Sequence, residues 1–175
     1  MKEKQRFQRN QNIMSHAFAD MFVVRCSRCQ RSAMVLAEPG KHRYTLNAYS
    51  KKRMRFVCSN CGLNKEMISP TDYTRHHVKV AHSDTWQDGF VTVGGPFDWY
   101  FGFPLYFQIP CCGRVLWAFN LPHLLYLEEY IQSDLREDGH TYYLSTISRL
   151  PQWMTSAKNK ADVLRCIHKL KLLDG

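Results

Sequence analysis

The C-terminal half of the chain repeats its hydrophobic residues at helical spacing. A first apolar stripe follows Asn120-Leu121-Pro122, which combines a side-chain cap with an early proline, and consists of Leu124, Leu127, Ile131 and Leu135. A second stripe predicts a final helix from about residue 159 to residue 173 and consists of Val163, Leu164, Ile167, Leu170 and Leu173. The pattern therefore predicts two C-terminal helices, each of which buries one face.

The segment that precedes these helices is β-prone, with apolar and aromatic residues on both sides of Pro110-Cys111-Cys112-Gly113. This pattern predicts a hairpin in which residues 105–109 pair with residues 115–119. Adjacent residues of an extended chain point to opposite faces, so we expect one buried thiol in the turn and no joint binding of one ion. We expect the aromatic run to belong to the core, or to present an exposed part to a base or a protein partner. Its members are Trp99, Tyr100, Phe101, Phe103, Tyr106 and Phe107.

The N-terminal half is organised around short β-prone runs separated by basic turns. Strands are predicted over residues 33–38, 44–49 and 54–57. Composition then divides the chain into a basic N-terminal arm, a small β-rich module, a connector and an α+β domain. The boundaries of these four parts are 1–20, 21–69, 70–95 and 96–175.

Two Cys-x-x-Cys pairs in the β-rich module supply its candidate chemistry. They are Cys26 with Cys29 and Cys58 with Cys61. Four thiolates grouped in this way close a tetrahedral zinc site, and Gly62 supplies the backbone freedom that a tight turn after Cys61 needs. The 28 residues between Cys29 and Cys58 exceed the common spacing but leave room for strands between the pairs. The sequence therefore predicts a zinc ribbon with one structural ion.

Three other interpretations fit these cysteines less well. Disulfides form in oxidising compartments, whereas the N-terminus has no apolar signal core and the seven cysteines are an odd number. A thioredoxin-like redox pair opens a helix in a βαβ unit, whereas both pairs stand among basic and β-prone residues. Catalytic zinc keeps an open coordination position and usually includes His or carboxylate ligands. Four thiolate ligands therefore favour a structural zinc ion over a catalytic one.

The net charge of +9 is distributed unevenly along the chain. Residues 1–82 contain 16 Lys and Arg against 5 Asp and Glu, and residues 83–175 contain 8 against 10. A basic segment with a zinc ribbon is typical of proteins that bind phosphate-rich partners, because cations near a polyanion release condensed counterions. A basic face also serves solubility, and both interpretations stay open. No run reaches the roughly 18 apolar residues of a membrane helix, so we expect a soluble cytoplasmic protein.

Cations and aromatic rings alternate within the ribbon and form the candidate nucleic-acid site. The cations suited to phosphates are Arg43, Lys51, Lys52, Arg53 and Arg55, and the rings suited to stacking on bases are Tyr44, Tyr49 and Phe56. The alternative is that the rings pack on the ribbon while residues 51–53 form a solvated hairpin tip. The pattern is equally typical of both structures.

A histidine cluster in the connector is the remaining candidate for catalysis. His76, His77 and His82 lie close together in sequence, but histidines at surfaces and caps are far more common than metal ligands. A second metal, with the turn cysteines of the predicted hairpin as further ligands, stays open. Cys166 and His168 stand two residues apart on a predicted helix and point in different directions, so they do not form a nucleophile and base pair. We therefore predict a protein that is not an enzyme.

Three features taken together carry a resemblance to a known family. They are the four ribbon cysteines, the segment CCGRVLWAFNLPHLLYLEEYI and the segment SRLPQWMTSAKNKADVLRCIHKL. Over nearly its whole length the chain resembles a group of small, uncharacterised bacterial zinc-ribbon proteins. The resemblance implies zinc ligation by Cys26, Cys29, Cys58 and Cys61 and implies no reaction. The ribbon is also similar to those of transcription factors and RNA-polymerase-associated proteins.

The expected protein follows from these observations. Its fold class is α+β, with an N-terminal zinc ribbon on a small antiparallel sheet, then a β-hairpin and two C-terminal helices. Its expected function is non-enzymatic binding of nucleic acid, DNA or RNA, or of a nucleoprotein complex through the basic N-terminal half. The alternative function is that of a structural adaptor, which binds a protein through the ribbon and the aromatic hairpin.

Overall fold

A computed structural model describes residues 18–37, 53–68, 77–79, 86–88, 95–98, 100–133 and 150–174. These residues form two compact units, one within residues 19–106 and the other from Phe107 onward together with Phe18. The predicted division placed residues 96–106 with the C-terminal domain, whereas the structure groups them with the ribbon sheet. The reason is long-range packing of this segment on the sheet, which no local pattern encodes.

The α+β fold class is confirmed. The first unit has a four-stranded antiparallel sheet in the order β1-β2-β3-β4, and β5 and β6 pair separately. Their bounds are Met21–Arg25 (β1), Ser32–Ala37 (β2), Arg53–Val57 (β3), Asn64–Ile68 (β4), His77–Lys79 (β5) and Trp86–Asp88 (β6). The second unit has a hairpin and helices. Their bounds are Phe107–Cys111 (β7), Arg114–Ala118 (β8), Leu121–Gln132 (α1), Gln152–Thr155 (α2) and Lys160–Lys171 (α3), with short 3-10 turns at Ala157–Asn159 and Leu172–Asp174.

The ribbon sheet buries one of its faces. Alternate residues of the first three strands point inward and are fully or almost fully buried, namely Phe22, Val24, Ala33, Val35, Met54 and Phe56. The aromatic segment packs here, because the Phe56 ring lies 4.8 Å from the Phe103 ring and 6.3 Å from the Phe101 ring, measured between centroids. Tyr100 and Phe101 are buried in the same unit, beside the buried Leu105, so the expectation that the aromatic run contributes to the core is confirmed for these two rings.

The aromatic segment also extends the sheet at its β1 edge. The Arg25 N–H donates to the Pro104 carbonyl, and the Tyr106 N–H donates to the Val23 carbonyl, each at 2.8 Å. An antiparallel bridge joins Val24 to Leu105 between them. The edge of β1 is therefore paired, which satisfies backbone groups that an open edge would leave to solvent.

A buried carboxylate holds the turn that leads into this edge. Asp98 accepts hydrogen bonds from the backbone N–H groups of Tyr100, Phe101 and Phe103 at 2.9, 2.7 and 2.6 Å. Burial raises the pKa of Asp98, while these donors favour the charged form and oppose the rise. Gly102 has a φ of +70°, which lets the backbone curl around the carboxylate. Asp98 therefore fixes the shape of the aromatic segment before it joins the sheet.

The second unit confirms the two apolar stripes in their central positions. Leu124, Leu127 and Ile131 of α1 and Val163, Ile167 and Leu170 of α3 are buried, whereas Leu173 is exposed and residue 135 lies outside the described residues. α1 ends at Gln132, and the Ser133 N–H donates to the Glu129 carbonyl. An ion pair between Lys171 Nζ and Glu128 Oε2 at 2.9 Å connects the two helices. Within the described residues, no helix is long and apolar enough to cross a membrane.

The start of α1 is built around a buried histidine. Asn120 caps the helix by accepting a hydrogen bond from the His123 N–H at 3.0 Å, and its Nδ2 donates to the Phe18 carbonyl at 2.7 Å. His123 Nδ1 accepts a hydrogen bond from the Phe119 N–H at 3.2 Å, and the ring stacks on Phe18 with centroids 4.9 Å apart. Burial lowers the pKa of His123 from 6.5 to about 4. The imidazole is therefore neutral and serves as a packed hydrogen-bond acceptor.

We predict a pH dependence of stability that comes from His123. Below the unfolded pKa of 6.5 the unfolded chain takes up a proton that the folded chain does not accept until about pH 4. Lowering the pH from 7.5 to 5 should therefore reduce the free energy of unfolding by about 2 kcal/mol through this residue alone. Urea unfolding measures this free energy at both pH values. In the His123→Asn variant, the loss of unfolding free energy between pH 7.5 and pH 5 should be smaller than in the unchanged chain by about 2 kcal/mol. His168→Asn, which changes an exposed histidine of α3, should retain the full difference; equal losses in both variants would contradict the assignment.

Candidate metal centre

The two cysteine pairs stand at the ends of the two hairpins of the ribbon sheet. Cys26 and Cys29 lie in the turn between β1 and β2, and Cys58 and Cys61 lie in the turn between β3 and β4. We call these turns the first and second knuckles, residues 26–31 and 58–63. The antiparallel pairing of β2 with β3 brings them to the same end of the sheet.

Both knuckles close in the same way. In the first, the Cys26 N–H donates to the Arg31 carbonyl and the Gln30 N–H donates to the Cys26 carbonyl, each at 2.9 Å. In the second knuckle, the Cys58 N–H donates to the Leu63 carbonyl at 2.9 Å, and the Gly62 N–H donates to the Cys58 carbonyl at 3.0 Å. The residue after the second cysteine has a positive φ in each knuckle, 61° at Gln30 and 72° at Gly62. The left-handed conformation turns the chain back toward the next strand, and only the second knuckle uses glycine for it.

The four sulfur atoms converge. All four Sγ atoms lie within 4.8 Å of one another. The Cys26 and Cys61 sulfurs are 3.6 Å apart, as are those of Cys29 and Cys58, so the close pairs join one knuckle to the other. Four sulfurs around one ion at a metal–sulfur distance of about 2.3 Å would be separated by about 3.8 Å. The arrangement therefore fits a tetrahedral metal ion held by Cys26, Cys29, Cys58 and Cys61.

Backbone N–H groups prepare the sulfurs for negative charge. The Arg28 N–H points at Cys26 Sγ, with a nitrogen–sulfur distance of 3.4 Å. Burial alone would raise the pKa of Cys26, but hydrogen bonds from the backbone of Cys29 and Arg28 and from the neighbouring thiols lower it to about 6. The pKa of Cys61 rises to about 12, because burial and the other three cysteines outweigh a hydrogen bond from the Leu63 backbone. Neighbouring thiols oppose one another's ionisation, so a cation held among them would favour the thiolate form.

A site that could hold a metal ion is the chemistry that the described residues support most directly. Among the described residues, the four ribbon cysteines form the one group of three or more His, Cys, Asp or Glu side chains whose ligand atoms converge in this way. Cys26 and Cys58 are buried, and Cys29 and Cys61 are half-buried. Asn60 Nδ2 of the second knuckle donates to the Ser32 carbonyl at the start of β2 at 3.2 Å, a further connection between the hairpins. Sulfur ligands that lie within a folded frame of this kind hold an ion and shield it from solvent.

The structure describes three of the residues that the sequence assigned to nucleic-acid binding, and only the two arginines among them are exposed. Arg53 and Arg55 lie on β3 with exposed side chains, and Arg55 forms an ion pair with Glu66 of β4 at 3.2 Å. Phe56 is fully buried, so its proposed role as a ring that stacks on bases is wrong; it packs in the sheet core. The other predicted residues lie outside the described residues and stay predictions. They are Arg43, Tyr44, Tyr49, Lys51 and Lys52.

Two cation–ring pairs were missed by the sequence analysis. The Arg25 guanidinium lies over the Tyr106 ring at 5.4 Å, and Lys65 Nζ lies over the Phe103 ring at the same distance. Each pair joins a strand of the ribbon to the aromatic segment more than 35 residues away. For the Arg25–Tyr106 pair, the sequence near Arg25 predicts only that its side chain shares a face of β1 with Met21 and Val23, because side chains alternate along a strand. The position of Tyr106 on that face follows only from its pairing with Val23.

The histidine cluster adds no second centre to the described part of the chain. His77 begins β5, and His76 and His82 lie outside the described residues. Searches for similar proteins find no matching family model, no matching curated protein and no matching solved structure. The resemblance to bacterial zinc-ribbon proteins therefore stays a prediction, and the functional argument depends on the site itself.

We predict that the two knuckles respond in opposite directions to substitution at their left-handed positions. Gly62→Ala should weaken metal binding about five- to tenfold, because an L-residue in this conformation costs about 1 kcal/mol or more. Gln30→Gly should strengthen binding by a similar factor, because it removes that cost from the first knuckle. Competition with a chelator measures both affinities. Ser59→Ala, an exposed neighbour in the second knuckle, serves as the control and should have no effect; equal effects of Gly62→Ala and Ser59→Ala would contradict the account.

Proposed function

We propose that the chain is a non-enzymatic zinc-ribbon protein that binds nucleic acid through its basic N-terminal half, alone or within a nucleoprotein complex. The observation that carries the proposal is the convergence of four cysteine sulfurs at one end of an antiparallel sheet. A tetrahedral set of four thiolates favours zinc, a metal with soft-ligand affinity and no geometric preference of its own. Four protein ligands fill the coordination shell, which leaves no position for a substrate or a reactive water.

The outer face of the ribbon sheet is the surface that we assign to the nucleic acid. Opposed residues of antiparallel strands point to the same side, and the register aligns Val23 with Met34 and Met34 with Val57. Tyr106 joins this row through its pairing with Val23. A ring and a row of apolar side chains on an open sheet face are suited to bases, which stack on rings without regard to sequence.

Cations surround this row and make the face complementary to phosphate. Arg25, Arg53 and Arg55 belong to the same side of the sheet, and Glu66 neutralises one of them by its ion pair with Arg55. The first knuckle adds exposed Arg28 and Arg31 beyond the end of the sheet. Tyr106 holds the Arg25 guanidinium at the edge of the face, so a cation and a ring are presented together. This combination favours single-stranded nucleic acid, whose bases are free to stack.

The adaptor function is the second candidate, and one observation favours it. Met34 is 38% exposed in the middle of the outer face, where an apolar side chain also suits a protein partner. The aromatic part of that hypothesis has less support, because Tyr100, Phe101 and Phe107 are buried. The two functions therefore share the outer face of the sheet and differ in the contribution of charge.

We predict that charge and ring contribute separately to nucleic-acid binding. Arg25→Ala combined with Arg53→Ala should weaken binding of a fluorescent single strand and should reduce the salt slope of the affinity by about 0.7 for each lost phosphate contact. Tyr106→Leu should weaken binding by about 1–3 kcal/mol, because a stacked base loses its ring, with a smaller change in slope. Fluorescence anisotropy across a salt series on the zinc-loaded chain measures both effects.

Arg114→Ala is the matched control, because it removes one exposed arginine from the second unit. It should leave both the affinity and the salt slope close to those of the unchanged chain. Absence of binding at low salt would exclude the nucleic-acid function and favour the adaptor. Binding that Arg114→Ala weakens as much as the double variant would show a diffuse attraction to positive charge, and the assignment to the outer face would then be wrong.

A further inference from the structure

Two close sulfur pairs of the metal centre join one knuckle to the other. The sulfurs of Cys26 and Cys61 lie 3.6 Å apart, and so do the sulfurs of Cys29 and Cys58. The S–S bond of a disulfide is about 2.05 Å long, so the sulfurs of each pair need to approach by about 1.5 Å to bond. The distances therefore suit covalent bonds between the two hairpins as well as an ion.

Each close pair contains one sulfur that is accessible and one that is shielded. Cys61 and Cys29 are half-buried, whereas their respective neighbours Cys26 and Cys58 are buried. A small oxidant that comes from solvent therefore meets the half-buried sulfur first. The buried sulfur of the same pair already lies beside the site of attack. An accessible cysteine next to a resolving cysteine favours a disulfide over further oxidation.

We propose that the four-cysteine site is also an oxidation site, at which hydrogen peroxide joins Cys26 to Cys61 and Cys29 to Cys58 as two disulfides and displaces the metal ion. The distances select these partners, and the burial selects the sulfur that reacts first. The inference rests on the zinc site of the proposed function and does not depend on its nucleic-acid surface.

The reaction has the same two steps in each pair. The half-buried thiolate attacks peroxide, so that an S–O bond forms, the O–O bond breaks, hydroxide leaves and this sulfur becomes a sulfenic acid. The buried thiolate then attacks the sulfenic sulfur, so that an S–S bond forms, the S–O bond breaks and a second hydroxide leaves. The two sulfurs lose two electrons, and one peroxide gains them. Both pairs together consume two peroxides, and four protons from solvent convert the four hydroxides to water.

The two disulfides would replace the connection that the ion makes. A sulfur in a disulfide is no longer an anionic ligand, so an ion held by the site loses its ligands as the bonds form. Each bond still joins the β1–β2 hairpin to the β3–β4 hairpin. Disulfides within the knuckles would leave the two hairpins unconnected. Oxidation across the knuckles therefore releases the metal while the hairpins stay linked.

The test treats the full, zinc-loaded chain with hydrogen peroxide while a zinc indicator follows release of the metal. Remaining thiols are blocked with N-ethylmaleimide, and trypsin then cleaves after Arg28, which separates Cys26 from Cys29. We expect release of one zinc per chain, reversed by dithiothreitol and fresh zinc. We also expect one assembly of three peptides, in which 26–28 and 29–31 are each linked to 56–65.

The pattern of linked peptides decides the outcome. Tandem mass spectrometry should find peptide 26–28 on Cys61 and peptide 29–31 on Cys58. A bond between the peptides 26–28 and 29–31 would place the disulfides within the knuckles and overturn the proposal. Zinc that stays bound in excess peroxide, or that leaves without disulfide formation, would overturn it as well. A chain that takes up no zinc would refute the zinc ribbon itself, and this inference with it.

Two reciprocal variants identify each partner by the cysteine that is left over. Three cysteines and one histidine also form a structural zinc site, so Cys61→His and Cys29→His should both be loaded with zinc. After oxidation, Cys61→His should contain one disulfide, between Cys29 and Cys58, and its Cys26 should have no partner. In Cys29→His, the cysteine without a partner should be Cys58. A disulfide between Cys26 and Cys29 in Cys61→His would refute the proposed pairs.

The control is a thiol outside the ribbon. Cys112 is the exposed cysteine of the second unit, and Cys112→Ser should release zinc in peroxide at the rate of the unchanged chain. A several-fold slower release in this variant would show that the thiol which meets the oxidant lies outside the ribbon, and the proposal would then be wrong.

Discussion

The convergence of four cysteine sulfurs is the interaction on which the first unit depends. It connects two hairpins, β1–β2 and β3–β4, whose cysteine pairs are separated by 28 residues of sequence. Bringing such distant turns together has an entropic cost, and a metal ion bound by the four sulfurs would offset this cost with bonds that are stronger than the contacts of a small core. The sheet buries only one face, so its apolar core is limited, and a metal ion held by the four cysteines would supply a further constraint.

The same centre orients the surface that we assign to nucleic acid. Each knuckle ends one strand and starts the next, so an ion bound by both knuckles would fix the alignment of the two hairpins that pair through β2 and β3. The register of these strands places Val23, Met34 and Val57 in one row and the arginines around it. Four thiolates with one divalent ion would carry a net negative charge, which backbone N–H donors such as that of Arg28 to Cys26 Sγ would partly counterbalance.

The sequence predicted the features that depend on local spacing. The two Cys-x-x-Cys pairs, the strands near residues 33–38 and 54–57, and the stripes of α1 and α3 follow from patterns a few residues long, and the structure has them. The error at Phe56 was avoidable, because alternation along β3 places it on the face opposite Arg55. The pairing of residues 104–106 with β1 and the proximity of Cys166 to Cys111 were not predictable, since each joins segments distant in sequence. The hairpin loop is also shorter than expected: the predicted pairing left the five residues 110–114 between the strands, whereas the left-handed conformation of Cys112 permits a turn of two residues.

Hydrogen exchange of the full chain, with and without its metal, tests the central claim most directly. We predict that a chelator removes protection from the amides that close the two knuckles, those of Cys26, Gln30, Cys58 and Gly62, and from the strands between them. The amides of α1 and α3 should keep their protection, and added zinc, but not magnesium, should restore that of the ribbon. Ribbon amides that remain protected in the absence of metal would contradict the account, because the sheet would then be stable without the ion that we assign as its main constraint.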